Sequence, residues 1–304
     1  RLMVRTHGAA GGAWGAHDGR TGTWEPAAPP GPLVDTYGCG DTFAAALTVA
    51  LRLALLPALP APVPIIPDEH ANLFLAQTLQ AGRLSTPTHP MWRHFEALFI
   101  LHRPTYASVY PPFQGALLAL GSVLFHEPWA GVLAGVAGMC LAITWMLRAY
   151  MTRMWALYGG LLTGAGHGVL GYWANSYWGG AGAAIGGALV FGALPRILSR
   201  GRRRDAAILG LGLAILANSR PFEGLLAALP GAVYLLFHLD RALLQKVAPV
   251  FGCVAAAGAA LTCFYFLRVT GNPLRPPHLA YFEQYAAAPA FVWQGSRMAP
   301  PYRD

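Results

Sequence analysis

Two carboxylates and an imidazole stand together directly after the first long apolar run of the sequence. Asp68, Glu69 and His70 follow Pro67, and the apolar run before them covers residues 43–66. A carboxylate beside a bilayer can act as the general base that takes a proton from an acceptor hydroxyl. The same residues also suit a helix start, because exposed N–H groups and the helix dipole favour acidic side chains in the first turn. The residues alone leave both interpretations open.

The composition indicates in what kind of protein these residues act. Of the 304 residues, 55% are hydrophobic and only 11% are charged, and the mean hydropathy is +0.42. An ordinary globular surface needs roughly 25% charged residues, so a wholly soluble protein is not expected. Intrinsic disorder requires low hydrophobicity and high charge, and it is not expected either. The sequence therefore predicts a mainly α-helical, polytopic integral membrane protein.

Apolar runs that could cross a bilayer about 30 Å thick recur along the chain. We predict about seven transmembrane spans, at residues 43–66, 129–147, 154–173, 178–198, 206–217, 222–239 and 247–267. Segment 113–125 is shorter, and we predict an interfacial or re-entrant helix there. Arg52 lies within the first run, where an isolated charge is unfavourable, so it must pair or reach the interface. Glycines between residues 179 and 187 would let neighbouring helices approach closely.

The positive-inside rule predicts how the spans are oriented. If segment 113–125 is interfacial, the basic residues between spans fall on one side of the membrane. Residues 1–42 then lie in the cytoplasm, and two polar stretches, 67–126 and 268–304, lie on the outer face. The formal charge of +8 is explained by membrane-facing loops, so no nucleic-acid partner is expected. The basic residues are Arg148, Arg153, Arg241, Lys246 and the cluster at 196–204.

Several short motifs follow one another in the membrane part of the sequence. They are Asp68-Glu69-His70-Ala71-Asn72-Leu73, Gly82-Arg83-Leu84, Thr88-His89-Pro90, Tyr110-Pro111-Pro112-Phe113-Gln114-Gly115 and Asn218-Ser219-Arg220-Pro221-Phe222-Glu223-Gly224. Their order and spacing resemble bacterial GT-C membrane glycosyltransferases of the protein mannosyltransferase-like branch. The resemblance covers roughly residues 53–304 and implies a transmembrane fold of GT-C type, with residues 67–126 as its outer catalytic loop.

The resemblance implies transfer of a sugar from a polyprenyl-phosphate donor to an acceptor on the outer face, with inversion at the anomeric carbon. Asp68 would be the general base, and Glu69 would assist or orient it. The arginines whose guanidinium groups could bind the donor phosphate are Arg83, Arg93, Arg103 and Arg220. We favour Arg220, with an interfacial anchor as the alternative. The acceptor stays open between glycan, lipid and protein, and so does a divalent metal ion near Asp68.

A second motif precedes the first apolar run. Its residues are Asp35-Thr36-Tyr37-Gly38-Cys39-Gly40-Asp41, and strand and turn material precedes them. They resemble the C-terminal signature of PfkB-type sugar kinases, the ribokinase family, over residues 1–52, which implies a short α/β fragment. The resemblance implies an anion hole of backbone N–H groups at Gly38, Cys39 and Gly40. Asp41 would take the proton from the attacked hydroxyl, with ATP and Mg²⁺ as cofactors.

The membrane glycosyltransferase explains most of the chain, and it is the function that we predict, in a bacterial inner membrane with membrane lipid around it. The alternative is a carbohydrate kinase of which residues 1–52 are a fusion, a remnant or a joining artefact. A non-enzymatic transporter would need ionisable residues within the spans, where almost none occur apart from Arg52 and His167. Enzymes of GT-C type have more spans than we predict here, so the outer loop at 268–304 is expected to belong to a longer region.

Overall fold

Two units make up the structure, a computed structural model that describes residues 2–6, 12–16, 18–24, 39–286 and 293–295. The first unit is Arg1–Tyr37 and the second is Gly38–Asp304. The domain boundary predicted near residue 52 falls inside a helix of the second unit, Cys39–Ala54. The helix that follows the kinase-like motif therefore belongs with the membrane part of the chain.

Three short strands form an antiparallel sheet in the first unit. They are β1 (Leu2–Thr6), β2 (Gly12–Ala16) and β3 (Thr21–Trp24), in the order β1-β2-β3. Trp14 pairs with Gly22 across β2 and β3, and a side chain at Gly22 would collide with the indole ring. An aromatic ring thus covers a glycine on the neighbouring strand, which helps to fix the register.

The second unit is mainly α-helical. Its described part contains α1 (Cys39–Ala54), α2 (Pro67–Gln80), α3 (Pro112–Phe125), α4 (Pro128–Leu147), α5 (Arg153–Thr163), α6 (Ala181–Arg200), α7 (Arg203–Ala217), α8 (Pro221–His238), α9 (Arg241–Thr270) and α10 (Pro277–Tyr285). A small antiparallel sheet in the order β4-β6-β5 lies between α2 and α3, and its strands are β4 (Thr86–Pro87), β5 (Ile100–Leu101) and β6 (Thr105–Ser108).

Four of the described helices, α4, α6, α8 and α9, are long and apolar enough to cross a membrane. This supports a membrane protein, but the predicted number of about seven spans is not confirmed. At the other three predicted positions the helices are shorter, with 16 residues in α1, 11 in α5 and 15 in α7. Helix α3 has 14 residues, which agrees with the expectation that segment 113–125 is too short to span.

Local sequence explains two of the short helices. After α1 the chain contains Pro57, Pro60, Pro62 and Pro64, and proline has no N–H with which to continue a helix. Helix α5 passes into a π-helical segment, Gly164–Val169, where the glycines that permit close packing also weaken the α-helix. Hydropathy identifies the apolar run, but the prolines after α1 and the glycines after α5 determine where each helix ends.

A cluster of basic residues lies at one end of the helices, which we call the basic end. Helices α4 and α6 run in the same direction, because Ala181 lies beside Gly135 and the Arg196 guanidinium lies 4.0 Å from the Trp145 ring centre. Helices α4 and α6 end at the basic end, and α5, α7 and α9 begin there. We call the opposite end, where α6 and α8 begin and α7 and α9 finish, the loop end. The cluster includes Arg148, Arg153, Arg196, Arg200, Arg203, Arg241 and Lys246.

Both polar stretches that were predicted to share one face meet at the loop end. The Ser85 hydroxyl donates to the carbonyl oxygen of Arg268 at 2.9 Å, and the Gln284 side-chain amide donates to that of Arg103 at 2.8 Å. Apolar side chains of both stretches share one buried cluster, which includes Leu101 and Ala280. Residues 67–111 and 268–286 therefore form one cap over the helix ends.

Glycines set the closest helix contacts, as predicted for the segment around residue 186. A side chain at Gly186 would lie 2.9 Å from the carbonyl oxygen of Gly212, so α6 and α7 touch through their backbones. Gly182 packs against the Phe113 ring of α3 in the same way. Gly187 differs, because a side chain added there would meet no atom within 4 Å.

Arg52 is fully buried at the end of α1 and is satisfied there. Its guanidinium donates to the carbonyl oxygens of Leu59 and Pro60 and to the Asn175 side chain, at 2.8 to 3.0 Å. The Trp129 ring stacks over it at 4.6 Å. These neutral acceptors and the ring satisfy the buried charge, and the contacts tie the chain after α1 to the loop before α6.

Candidate functional site

A cavity of about 310 Å³ opens at the loop end of the second unit. The first turns of α2, α3, α6 and α8 contribute to its wall, and α10 closes one side. Aromatic rings form much of the surface, and the charged side chains are few. The charged or polar lining residues are Asp68, Asn72, Tyr110, Gln114, Ser219, Arg220, Glu223, His278 and Tyr281.

Asp68 lies in the first turn of α2 and faces this cavity. Pro67 begins the helix, since proline suits the first helical position, where no N–H partner is needed. The side chain is half-buried, and one of its oxygens, Oδ1, accepts a short hydrogen bond from the Tyr110 hydroxyl. Asp68 is thus held at the cavity wall, in a position from which a carboxylate can accept a proton from a bound hydroxyl.

Two charged neighbours, Asp68 and Arg220, influence the pKa of the Tyr110 hydroxyl. Burial is the main cause that raises the pKa of its hydroxyl far above the ordinary value, and the hydrogen bond to Asp68 and its charge raise it further. The positive charge of Arg220 acts in the opposite direction. The hydroxyl therefore stays protonated and remains a hydrogen-bond donor to the carboxylate. Its main-chain oxygen is held by the Tyr265 hydroxyl at 3.2 Å.

Glu69 is directed away from the cavity and fixes the local backbone. Its carboxylate accepts from the N–H groups of Ile65 and Ile66, at 2.9 and 3.2 Å, and from that of Tyr177, at 2.9 Å. The side chain is buried, and it joins the start of α2 to the loop before α6. The helix-start interpretation therefore describes Glu69, whereas the Asp68 side chain lines the cavity.

Arg220 lies across the same cavity, at the residue before α8. Its Nη1 atom is 3.3 Å from the Glu223 carboxylate, and its guanidinium lies 5.7 Å from the centre of the Trp178 ring. The side chain is 42% exposed, so a ligand in the cavity can reach it. Of the four arginines considered for phosphate binding, Arg220 is the one that lines this cavity.

Two helix starts add donors beside Arg220. Helix α6 begins after Gly180 and α8 begins after Arg220, and neither start has a side-chain cap. The first N–H groups of a helix have no partner within it, and the helix dipole adds a partial positive charge there. Gly180, Gly182 and Ala183 of the α6 start line the cavity, as do Pro221 and Phe222 of the α8 start. Such a place favours an anion.

Two further lining residues, Asn72 and His278, are not among the predicted site residues. Asn72 is 1% exposed, its Nδ2 donates to the carbonyl oxygen of Asp68 at 3.0 Å, and its Oδ1 has no hydrogen-bond partner among the described residues. The Nε2 atom of His278 has none either within that part of the chain. Burial lowers the pKa of His278, so the ring is neutral at physiological pH. Asn72 lies one helical turn after Asp68, a spacing that could have pointed to it.

The other predicted phosphate ligands lie elsewhere. Arg83 is exposed in the turn after α2. Arg93 and Arg103 flank Trp92, with guanidinium carbons 5.8 and 5.6 Å from the ring centre. These arginines share the polar stretch 67–126 with Asp68, but none of them lines the cavity.

The residues of the kinase-like motif are only partly described. Gly38 lies outside the described residues, and Cys39 and Gly40 form the start of α1. Asp41 is 5% exposed, and its carboxylate accepts from Arg148 of α4 at 3.1 Å. This buried ion pair ties α1 to the basic end, so the structure gives Asp41 a packing role at the end opposite the cavity.

A metal site does not emerge from the structure. Within the described ranges, no group of three or more His, Cys, Asp and Glu side chains is placed to hold a metal ion. His167, the titratable residue noted in the transporter interpretation, stacks on Trp173 at 4.9 Å.

In the comparisons with known proteins, no family model, no curated protein and no solved structure matches the chain. The site must therefore be interpreted from its own geometry.

Proposed function

We propose that the chain is a membrane-embedded glycosyltransferase that uses a polyprenyl-phosphate sugar as donor. The observation that carries the proposal is the cavity in which Asp68 faces Arg220 and the uncapped starts of α6 and α8. One wall offers a proton acceptor, and the other offers positive charge for a phosphate. We propose further that the fold is of GT-C type, with about seven spans, and that the loop end faces outward from a bacterial inner membrane.

In this proposal the reaction is a single displacement at the anomeric carbon. Arg220 and the N–H groups at the starts of α6 and α8 bind the donor phosphate. An acceptor hydroxyl attacks the anomeric carbon from the side opposite the phosphate, while Asp68 takes its proton. The new carbon–oxygen bond forms as the bond to the phosphate oxygen breaks, and polyprenyl phosphate leaves with the bonding electrons. The configuration at the anomeric carbon is therefore inverted.

The apolar surfaces around the cavity suit the two ends of such a donor. Rings of Trp178, Phe222 and Tyr281 line the cavity and offer flat faces against which a sugar can pack. Leu225 and Leu226 follow on α8 and are 62% and 69% exposed. This exposed apolar surface continues from Arg220 along α8, where a polyprenyl chain in the bilayer can run.

The experiment is a sugar-transfer assay in membranes with radiolabelled polyprenyl-phosphate mannose and polyprenyl-phosphate glucose as donors. Asp68→Asn should lower transfer by at least about 100-fold, because general base catalysis contributes about 10² to 10⁴. Arg220→Gln should raise the KM for the donor by roughly tenfold, as expected when a charged hydrogen bond is lost. Glu283→Gln is the matched control, because Glu283 is a carboxylate at the loop end that pairs with Arg275 outside the cavity.

Retained transfer in a folded, membrane-inserted Asp68→Asn variant would exclude Asp68 as the base. The alternative kinase function predicts ATP-dependent sugar phosphorylation that is lost in Asp41→Asn, and that result would overturn the proposal. Asp41 is buried against Arg148. The test of the kinase function therefore also needs Arg148→Gln, which disturbs the same ion pair without removing the carboxylate. If Asp41 acts only through this ion pair, Asp41→Asn and Arg148→Gln should change sugar phosphorylation to the same extent.

A further inference from the structure

We propose that the basic end of the second unit carries a binding site for one anionic phospholipid, separate from the cavity that contains Asp68. One acyl chain enters an apolar cavity between α8 and α9, and the headgroup phosphate contacts the basic residues beside it. The site does not depend on the glycosyltransferase function proposed above.

The acyl-chain part is a second cavity of about 310 Å³. Helices α8 and α9 each pack on the pair formed by α6 and α7, and the cavity lies in the gap between them. Its walls come from the halves of the four helices that lie nearest the basic end, for example Ile197, Leu209, Leu235 and Val247. The lining residues have apolar side chains without exception, so water gains no hydrogen-bond partners from them.

The volume and surroundings of this cavity fit a hydrocarbon chain. The cavity is many times larger than the space that one water molecule needs, so it can hold several methylene groups of a chain. Leu236 and Phe237 of α8 are 80% and 82% exposed beside it, and such residues on a spanning helix face lipid. A chain of the surrounding bilayer can therefore enter from the side without crossing polar surface.

The headgroup part is the cluster of cations where this cavity meets the basic end. Leu244 and Val247 line the cavity, and Lys246 lies between them on α9. The Lys246 amino group lies beside Gly201, which immediately precedes the exposed residues Arg202 and Arg203. None of these three cations forms an ion pair with an acidic residue in the described part of the chain. Cations without an acidic partner attract anionic lipid when they lie near the membrane surface.

Charge complementarity therefore selects the occupant. A zwitterionic lipid would fill the apolar cavity equally well, but it would leave the positive charge of Lys246, Arg202 and Arg203 uncompensated. Each basic residue near an anionic membrane surface strengthens binding by roughly fivefold. An anionic lipid should thus be preferred strongly over a zwitterionic lipid with the same acyl chains.

The test uses the full chain in nanodiscs and counts retained lipid by native mass spectrometry. The probes are dioleoyl phosphatidylglycerol and dioleoyl phosphatidylcholine, which share their acyl chains and differ in charge. The wild type should prefer the anionic lipid by about 100-fold, and Lys246→Gln with Arg202→Gln should reduce this preference to about fivefold, the contribution of the remaining Arg203. Arg268→Gln is the matched control, because Arg268 is an exposed cation at the other end of α9.

Two further variants separate charge from packing. Lys246→Arg keeps the charge and should keep the preference, which also shows that position 246 tolerates substitution. Ala232→Leu fills the cavity and should reduce retention of both lipids to a similar extent. Equal retention of the two lipids by the wild type would overturn the proposal. So would a preference that the double substitution leaves unchanged, or one that is lost in Arg268→Gln.

Discussion

At the residue scale, the bond between Tyr110 and Asp68 decides which carboxylate oxygen is available. The Tyr110 hydroxyl occupies Oδ1, so Oδ2 is the atom that can accept a proton from a bound hydroxyl. Tyr110 is thus a positioning residue in the proposed reaction. Because burial and the charge of Asp68 both raise the pKa of Tyr110, the donor persists throughout the physiological pH range.

This coupling predicts how Tyr110 titrates. Loss of the negative charge in Asp68→Asn removes one cause of the raised pKa, so Tyr110 should ionise at lower pH than in the wild type. Tyrosinate absorbance during an alkaline titration measures this, with Tyr110→Phe identifying the contribution of Tyr110. Glu283→Gln should leave the titration unchanged. A curve that does not move in Asp68→Asn would show that the two side chains do not interact.

The sequence predicts some site residues better than others, for physical reasons. Asp68 and Arg220 could be proposed because a carboxylate after an apolar run and an arginine in a later turn follow a known order of motifs. Arg83 and Arg103 are candidates because a guanidinium group matches phosphate oxygens, but this property does not place them at the cavity. Asn72 and His278 differ, because what marks them is a buried polar atom without a partner. A buried polar atom without a partner can be recognised only in the folded structure, because burial results from the packing of distant segments.

At the element scale, the start of α4 is fixed by direct contact with α3. Gly131 of α4 touches the backbone of α3 at Leu117, and Gly121 of α3 touches Gly131 in return. Helix α3 also presents Phe113 and Gln114 to the cavity. The contact between Gly131 and α3 lies outside the cavity. It nevertheless helps to position the part of α3 that lines the cavity.

A pair of glycine substitutions tests this contact. Gly131→Ala should destabilise the protein by roughly 1 to 3 kcal/mol, because the added methyl group collides with the Leu117 carbonyl. Gly187→Ala is the matched control, since the new methyl group has no neighbour within 4 Å and alanine favours the helix by about 0.8 to 1 kcal/mol. Thermal unfolding in one detergent compares the two variants. Equal melting temperatures would mean that α3 and α4 can separate at little cost.

The helices themselves were predictable where a long apolar run meets clear end signals. Helix α4 begins at Pro128 and α8 at Pro221, close to the predicted starts at 129 and 222, since proline suits the first turn. Helix α1 was predicted to continue to residue 66 but ends at Ala54. Hydropathy averages over a window and does not register that Arg52 binds the backbone of residues 59 and 60, which folds the chain back.

At the largest scale, the cluster of basic residues and the candidate site lie at opposite ends of the second unit. The cavity with Asp68 lies where α6 and α8 begin, whereas Arg148, Arg203 and Arg241 lie where α4 finishes and α7 and α9 begin. In the orientation that we propose, the basic end faces the cytoplasm, as the positive-inside rule predicts. Sugar transfer would then take place on the outer face, where a flipped polyprenyl-phosphate donor presents its sugar.

This arrangement predicts the outcome of cysteine labelling from the two sides of the membrane. In a variant whose Cys39, Cys140, Cys253 and Cys263 are replaced by serine, Arg83→Cys should react with a membrane-impermeant maleimide in intact cells. Arg203→Cys should react only after the membrane is opened. Both side chains are exposed, so burial does not explain a difference between them. The reverse pattern would place Asp68 in the cytoplasm, and the donor would then be a lipid-linked sugar before it is flipped. Labelling of both positions in intact cells would contradict a membrane barrier between the two ends.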